Sequence, residues 1–553
     1  MVQTRARGSG QTNRQLASWK LGLIVWIVAF VPRVATARAG LMHRDEHKWL
    51  QRSEHYVHAL LSGDLANVTS ISASQTPHTM PGITTVVVGG VARLLWGGLR
   101  DLAITSFPGE QFDGSRPALV IAQVLMAAAT SGLLVLLWWV LSTWSSRIVA
   151  TTAVVILATE PILVADGVKL ATDSFLVLFG AIGAFALAAA LGVPERANGV
   201  LAARRRRVLA IVAGIGVGGA ALSKLTALTI GPFLLGLVVY ACVRARRRNE
   251  SVRAVLAVAG IVAAVAIVLV ALLWPAAWAD PGGQLEVLRG TASLPGRGQS
   301  QFFLGEMTQD PSPLFYLVVV PLRMTPWFFL LSIPALVVSL RVRALRGFAL
   351  VAIAYAAVPW ITILLSDKKF ERYAFIAWPV LAILVGLLVQ HVAARCRAAG
   401  PGRARTFEMT AVGAVAGLFV YTLLVAPYGS AYTNPALGGA SVASEVMLLD
   451  IGGPNATEAG LLIRDREGDR CNERRIFAWP RPRVWFPCGD RERTTEKLRP
   501  GDYIVLFDDF EKRRSPELIH ALRDLGRRIA VMRTRGAHIA DIYRVTKRNQ
   551  LAT

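Results

Sequence analysis

Long apolar segments separated by short basic clusters run along most of the chain. The runs long enough to form membrane-spanning helices begin near residues 18, 117, 148, 173, 208, 225, 254, 313, 347, 373 and 407. A hydrocarbon core of about 30 Å needs about 20 apolar residues per helix. The pattern predicts an α-helical polytopic membrane protein, with about eleven transmembrane helices between residues 18 and 426.

The basic clusters predict which helix ends face the cytoplasm, because cytoplasmic loops carry the excess of Lys and Arg. The segments expected inside are residues 1–17 and the clusters that begin at Arg204, Arg244, Arg341 and Arg395. An even number of crossings must separate residues 1–17 from Arg204. We therefore expect the weakly apolar segment 81–99 to lie at the outer interface without crossing. A twelfth span at this segment is the alternative.

This topology places the loops 38–116 and 280–312 and the tail 427–553 on the outer face of the plasma (inner) membrane. The tail contains strand-like runs from Asp502 and Arg528 and a helical pattern after Ser515, which predict a small extracytoplasmic α/β domain. Outside the cytoplasm, its two cysteines, Cys471 and Cys488, are expected to form a disulfide.

The composition supports a membrane protein and argues against a nucleic-acid partner. The chain is 54% hydrophobic, which is high for a soluble protein of 553 residues. Its formal charge of +24 comes from short clusters between apolar runs and not from one soluble face, so we expect no nucleic-acid partner. The first apolar run has no clear small-residue cleavage site after it and is interpreted as a retained first span.

Two adjacent acids, Asp45 and Glu46, follow the first span in "MHRDEHKWLQ". Such a pair can divide roles, since one carboxylate accepts a proton from a hydroxyl while the other holds a cation or orients the first. A solvated pair at a helix end is the alternative. Five of the eight histidines share this outer loop, so a divalent cation (Mg, Mn or Ca) held by Glu46 and His78 is a further hypothesis, although the spacing matches no zinc signature.

Asp173 begins the fourth apolar run, shortly after Asp166 and Lys169. An ionisable residue at the head of a membrane helix is a functional candidate, and a helix N-cap is its structural alternative. Further along, Lys224, Lys368, Lys369 and Arg372 are basic residues predicted on the outer face. They contradict the usual charge bias and so require an anion. A lipid headgroup is one such anion, and a lipid-linked phosphate is the more specific one.

Together these groups predict a site where an activated hydroxyl displaces a lipid phosphate from a sugar. Several short motifs in order then resemble the membrane-embedded GT-C glycosyltransferases of the protein O-mannosyltransferase and aminoarabinose-transferase type. The motifs are "RDEHKWLQRSEHYVHALLSGD", "PHTMPGITT", "EPILVADGVKLATDSF", "GAALSKLTAL", "WPAAWADP", "FFLGEMTQDPSPLFY", "DKKFERYAFIAWP" and "YTNPALGGA", and they cover nearly all of the chain to about residue 440.

The resemblance implies transfer of a hexosyl or pentosyl group from a polyprenyl-phosphate sugar to a protein, polysaccharide or lipid acceptor on the outer side of the cell envelope. It implies that Asp45 is the general base or the acid that orients the acceptor, that Glu46 is its partner and that Asp173 is a second acid. Lys369 and Arg372 then match the basic positions that hold the donor phosphate, with Lys368, Lys224 and Arg116 as further candidates.

The chain departs from the family pattern at His78, which is separated from Pro81 by two residues, and at "DIGGPNATEAG" near residue 450. Two other functions are compatible with parts of the sequence. A transporter or flippase for a lipid-linked sugar would use the same basic cluster, but no internal repeat is found. A membrane scaffold or receptor would explain the tail but not Asp45, Asp173 and Arg372.

Overall fold

The computed structural model describes residues 5–43, 45–69, 81–101, 115–195, 202–292, 300–449, 455–478, 486, 488–492, 494–534 and 537–547. The α-helices are α1 (Arg5–Ala37), α2 (Glu46–Ser62), α3 (Ile83–Asp101), α4 (Ser115–Trp144), α5 (Arg147–Thr159), α6 (Pro161–Val168), α7 (Asp173–Leu191), α8 (Ala203–Ser223), α9 (Gly231–Arg247), α10 (Val252–Leu273), α11 (Ala276–Ala279), α12 (Pro281–Ala292), α13 (Phe315–Arg323), α14 (Pro326–Arg341), α15 (Arg343–Leu365), α16 (Trp378–Ala398), α17 (Pro401–Val425), α18 (Gly439–Val446), α19 (Asn455–Glu467), α20 (Asp508–Glu511) and α21 (Pro516–Asp524).

The strands are β1 (Gln301–Phe303), β2 (Glu306–Thr308), β3 (Arg475–Phe477), β4 (Asp490–Glu492), β5 (Tyr503–Phe507), β6 (Gly526–Thr534) and β7 (Ala537–Val545). Short 3₁₀ helices lie at Leu65–Asn67, Leu225–Ile230, Glu371–Ala377, Tyr428–Ala431, Pro435–Leu437 and Gly468–Glu473.

Nine helices within the described ranges are long and apolar enough to cross a membrane, which confirms the predicted fold class. The other two predicted spans are interrupted. Helices α5 and α6 meet at a 70° bend, where Glu160 is extended and Pro161 starts the new helix. Helices α13 and α14 are separated at Met324 and Thr325, before Pro326. Proline disfavours helical backbone at the residue before it, and both breaks lie directly before a proline.

The segment predicted not to cross forms α3, whose apolar part, Ile83–Leu99, is shorter than the nine candidate spans. Its two central glycines face α2: a Cβ at Gly89 would lie 2.2 Å from Oγ of Ser53, and one at Gly90 would lie 2.7 Å from Val57. Small residues here allow α3 to pack closely on α2. The side of the membrane on which this pair lies stays a prediction.

Helices α7 and α8 pack so closely that a Cβ at Gly216 would lie 2.4 Å from the backbone nitrogen of Gly183. Close approach of two helix backbones through glycines is common within membranes. The packing brings the start of α7 beside the end of α8. Asp173, the first residue of α7, therefore meets Lys224, which directly follows α8.

The described part of the tail contains a five-stranded sheet with strand order β4-β3-β5-β7-β6. β3 is parallel to β4 and β5, whereas β7 is antiparallel to β5 and β6. The Cα atoms of Cys471 and Cys488 are 5.6 Å apart, and their sulfurs are joined in a disulfide. This arrangement has the mixed α/β character that the sequence predicts for the tail.

Candidate active site

Asp45 stands at the N-cap position of α2 and is half-buried, and its side chain makes no capping hydrogen bond to that helix. Its side chain lines a polar cavity of about 240 Å³. Lys48, Trp49 and Arg52 line the same cavity. These residues follow Asp45 by three, four and seven positions, so one face of α2 forms a wall of the cavity.

Glu46, in contrast, points away from the cavity and is 1% exposed. Its carboxylate accepts hydrogen bonds from the backbone N–H of His43 (2.6 Å), the backbone N–H of Leu170 (2.9 Å) and Nε2 of Gln123 (3.1 Å). These donors come from the start of α2, from the loop before α7 and from α4. Glu46 thus fixes the positions of two elements that carry cavity residues, and the structure does not bring it to the cavity with Asp45.

Asp173 also lines this cavity and is the centre of a charge cluster. Nζ of Lys224 donates a hydrogen bond of 2.6 Å to Oδ1 of Asp173, and Nε of Arg372 lies 3.6 Å from Oδ2. The guanidinium of Arg372 lies 4.7 Å from the centre of the Phe370 ring, and Nζ of Lys224 lies 4.8 Å from that of Tyr373. One carboxylate and two aromatic rings therefore hold both cations.

A second cavity, of about 140 Å³, lies on the other side of this cluster and is almost entirely apolar. It is lined by side chains of α7, α15 and the 3₁₀ helix Leu225–Ile230, among them Val177, Ile230 and Ile363. Asp173, Lys224 and Arg372 line both cavities. The charge cluster therefore forms a wall between a polar cavity and an apolar one.

The adjacent lysines of "DKKFERY" have different positions. Lys368 lines the apolar cavity, with its Nζ 5.7 Å from the Phe370 ring centre. Lys369 is 2% exposed and instead bonds to the carbonyl of Ser366 (2.7 Å) and to Asp310 (3.3 Å). It lines neither cavity, so the structure does not bring it to Lys224 and Arg372, and its role at the donor phosphate stays a prediction.

Two predicted site residues lie outside what the structure describes. His78 falls in the undescribed segment 70–80, and Arg116 is in α4 but its side chain is not described. In the described part of the chain, no three His, Cys, Asp or Glu side chains converge as a metal ion would require. Because the carboxylate of Glu46 already accepts three hydrogen bonds, it does not fit a metal ligand, and we derive no step through a metal ion.

The sequence analysis missed several residues of the polar cavity. Lys48 and Arg52, which line it from α2, were not considered. Asp166 and Lys169, which line it from α6 and the following loop, were noted only as neighbours of Asp173. Asp166 accepts a hydrogen bond of 2.6 Å from Ser174. The spacing of Lys48 and Arg52 from Asp45 was a usable signal, because it places all three on one helical face.

Burial changes the ionisation of two groups on α2. Burial raises the pKa of Glu46 above its ordinary value, against the lowering effect of its hydrogen bonds. Burial also lowers the pKa of Arg52 to about 10, although the nearby charge of Asp45 opposes this change. Arg52 therefore remains a cation at neutral pH. Its Nε is buried and has no hydrogen-bond partner among the described residues.

Residues 73–280 match the family model of dolichyl-phosphate-mannose-protein mannosyltransferases. No curated protein sequence matches the chain significantly. Among solved structures, the archaeal oligosaccharyltransferase AglB from Archaeoglobus fulgidus, in complex with an inhibitory peptide and a dolichol-phosphate, has a TM-score of 0.51 at 14% identity, covering 84% of this chain and 62% of that one.

ArnT from Cupriavidus metallidurans, bound to undecaprenyl phosphate, has a TM-score of 0.48 at 13% identity, covering 96% of this chain and 98% of that one. The S. cerevisiae Pmt1-Pmt2 complex bound to its sugar donor has a TM-score of 0.35 at 16% identity, covering 52% and 39%. The family-model match covers less than half of the chain. The match to AglB shows that this chain shares the fold of that membrane protein.

Proposed function

We propose that the protein transfers a sugar from a polyprenyl-phosphate sugar to a hydroxyl acceptor at the outer face of the membrane, with inversion at the anomeric carbon. The observation that carries this proposal is the charge cluster of Asp173, Lys224 and Arg372, which separates an apolar cavity from a polar cavity containing Asp45. A lipid-linked sugar has the same sequence of parts: an apolar chain, a phosphate and a polar ring.

The donor fits the two cavities in one orientation. The isoprene units nearest the phosphate occupy the apolar cavity, because burying apolar surface is favourable there. The phosphate lies against Lys224 and Arg372, with Lys368 at the edge of the apolar side. Arg372 provides the forked donor geometry that suits phosphate oxygens, and Asp173 keeps both cations in place. The sugar then extends into the polar cavity toward Asp45.

Asp45 acts as the general base. It accepts the proton of the acceptor hydroxyl while the hydroxyl oxygen forms a bond to the anomeric carbon. The bond between that carbon and the phosphate oxygen breaks on the opposite face of the ring, and its electron pair leaves with the polyprenyl phosphate. Attack and departure on opposite faces produce inversion. Lys224 and Arg372 stabilise the charge that develops on the leaving phosphate.

Glu46 has a positioning role in this proposal and does not touch the substrate. Its buried carboxylate connects α2, which carries Asp45, to the backbone of Leu170 in the loop before Asp173. Catalysis requires the base and the leaving group on opposite sides of one sugar ring, so the relative placement of these two elements matters. The acceptor is a hydroxyl of a protein, a polysaccharide or a lipid, each of which the mechanism accommodates.

The test uses purified protein with a set of labelled polyprenyl-phosphate sugars, simple hydroxyl acceptors and water. We expect release of polyprenyl phosphate together with a glycoside of inverted configuration, identified by the proton coupling of its anomeric centre. The same reaction with and without EDTA tests the separate hypothesis of a divalent cation at the site. Tight donor binding without turnover of any sugar would instead favour a transporter for the lipid-linked sugar.

A further inference from the structure

Arg323, at the end of α13, is a buried cation that contacts neither cavity directly. It is 1% exposed. Its Nε donates a hydrogen bond of 2.7 Å to the carboxylate of Glu371. Its Nη1 donates to the carbonyls of Ser430 (3.2 Å) and Tyr432 (2.7 Å), and its Nη2 donates to the carbonyl of Leu449 (2.6 Å). All three guanidinium nitrogens therefore have partners.

The partners of Arg323 belong to two regions far apart in the sequence. Glu371 directly precedes Arg372 in one 3₁₀ helix, and Glu371 itself lines the polar cavity. The three carbonyls belong to the segment 428–449, which connects the last membrane helix to the tail domain. Ser430 of this segment also lines the polar cavity. Arg323 thus joins the wall that carries Arg372 to the segment that carries the tail domain.

The connecting segment is fixed tightly at this point. Asn434 is fully buried. Its backbone N–H donates a hydrogen bond of 2.7 Å to the carbonyl of Leu322, next to Arg323. A Cβ at Gly429 would lie 2.4 Å from the carbonyl oxygen of Pro161, the first residue of α6. The segment therefore packs directly against α6, which carries the cavity residue Asp166.

We propose that Arg323 is a positioning residue that couples the connecting segment 428–449 to the donor site. Because Arg323 also bonds to Glu371, the position of the 3₁₀ helix that contains Arg372 depends on the position of this segment. Donor phosphate bound to Arg372 consequently stabilises the segment, and a displaced segment weakens the alignment of Arg372. This inference rests on the proposed function, because it assumes that Arg372 binds the donor phosphate.

Lysine cannot replace Arg323 in this role, although it keeps the charge. Its ammonium is a compact donor group, whereas the planar guanidinium reaches four acceptors on different sides at once. Arg323→Lys is therefore expected to retain the ion pair with Glu371 or the carbonyl contacts, but not both. Misalignment of a positioned group lowers the rate, and we expect the turnover number to fall roughly 10- to 100-fold.

Hydrogen–deuterium exchange of the full chain in detergent, with and without undecaprenyl phosphate, tests the coupling. In the wild type, the probe is expected to protect both the donor site around residues 224 and 372 and the segment 428–449. In Arg323→Lys, protection of the donor site is expected to remain and protection of the segment to be lost. Glu371→Ala removes the partner of Arg323 on the 3₁₀ helix and is expected to give the same loss of protection. It provides a second test if Arg323→Lys does not fold.

Arg464→Lys is the matched control, because Arg464 is half-buried on α19 and pairs only with the neighbouring Asp465 in the contacts described. It is expected to behave as the wild type in exchange and in turnover. Protection of the donor site without protection of the segment in the wild type overturns the coupling and leaves the proposed function intact. Retained protection of the segment in both coupling variants also overturns it. No protection anywhere contradicts the donor site itself, and the coupling with it.

Discussion

The two cavities that meet at Asp173, Lys224 and Arg372 differ in almost everything except that shared wall. The apolar cavity is lined by aliphatic side chains such as Val177, Ile230 and Ile363, with threonine hydroxyls as its main neutral polar groups. The polar cavity is lined by acids and bases from α2, α6 and the 3₁₀ helix before α16.

The contrast shows how one charge cluster can border an apolar cavity and a polar cavity at once. A membrane protein must pair its buried ionisable groups, and pairing Asp173 with two cations satisfies that requirement without a ligand. The same pairing leaves both cations at the boundary between apolar and polar space, where a lipid phosphate would lie. In the proposed function, structural stability and donor binding use the same three side chains. Variants in the apolar cavity and in the polar cavity should then separate the effects on the lipid part of the donor from those on its sugar part.

The largest effect is expected from Asp45→Asn, which changes only the polar cavity. Asparagine has nearly the same shape but cannot accept the acceptor's proton, and loss of a general base typically lowers the rate by about 10²- to 10⁴-fold. The donor KM should stay close to the wild-type value, because Asp45 does not line the apolar cavity. Asp64→Asn, at an exposed acid of the same outer region, is the control. Wild-type transfer by Asp45→Asn, at equal protein levels, would exclude this role.

Arg372→Gln removes one cation from the wall shared by the two cavities. It should therefore affect interactions with both the lipid part and the sugar part of the donor. Electrostatic stabilisation of a leaving group contributes about 10²- to 10³-fold, so kcat/KM for the donor should fall by that order. Arg372→Lys keeps the charge but loses the forked geometry and the stacking on Phe370, so its activity should lie between those of wild type and Arg372→Gln. Steady-state kinetics with varied donor concentration measure both. Equal activity in all three proteins would show that the phosphate binds elsewhere.

Ile363→Trp tests the apolar cavity alone. The larger side chain should fill part of the space proposed for the first isoprene units and raise the donor KM roughly tenfold, with kcat little changed. Ile361→Trp is a matched control on the same helix, because Ile361 is 54% exposed and does not line the cavity. A donor with a single isoprene unit should lose less from Ile363→Trp than a full-length donor. The same loss with both donors would mean that the lipid chain does not enter this cavity.

Much of the fold follows from local sequence, because the length and apolarity of a run decide whether it forms a spanning helix. The interruptions of two spans were not predicted, although Pro161 and Pro326 were local signals for them. The sequence also supplied the charge cluster: Asp173, Lys224 and Arg372 were each predicted as site residues. Helix packing through Gly183 and Gly216 then brings the first two of them together.

What the sequence could not predict depends on distant partners. Glu46 is adjacent to Asp45, and only its contacts with Gln123 and Leu170, 77 and 124 residues away, show that it is a buried anchor. The donors that surround a carboxylate are fixed by tertiary packing, which no local pattern encodes. The adjacent pair Lys368 and Lys369 presents the same problem, since Asp310 lies 59 residues from Lys369.

Substitutions of Lys368 and Lys369 have the smallest expected effects on activity. They test most directly which lysine belongs to the donor site and which has a structural role. Lys368→Gln removes a cation from the edge of the apolar cavity. A partly exposed charge contributes about 1 kcal/mol or less, so the donor KM should rise by only about two- to fivefold. Lys369→Gln should leave the donor KM unchanged and lower the melting temperature, because its buried ammonium holds Ser366 and Asp310 in place. The reverse pattern, with the donor KM responding to Lys369, would place the phosphate on the side of Asp310 and move the donor site away from the shared wall.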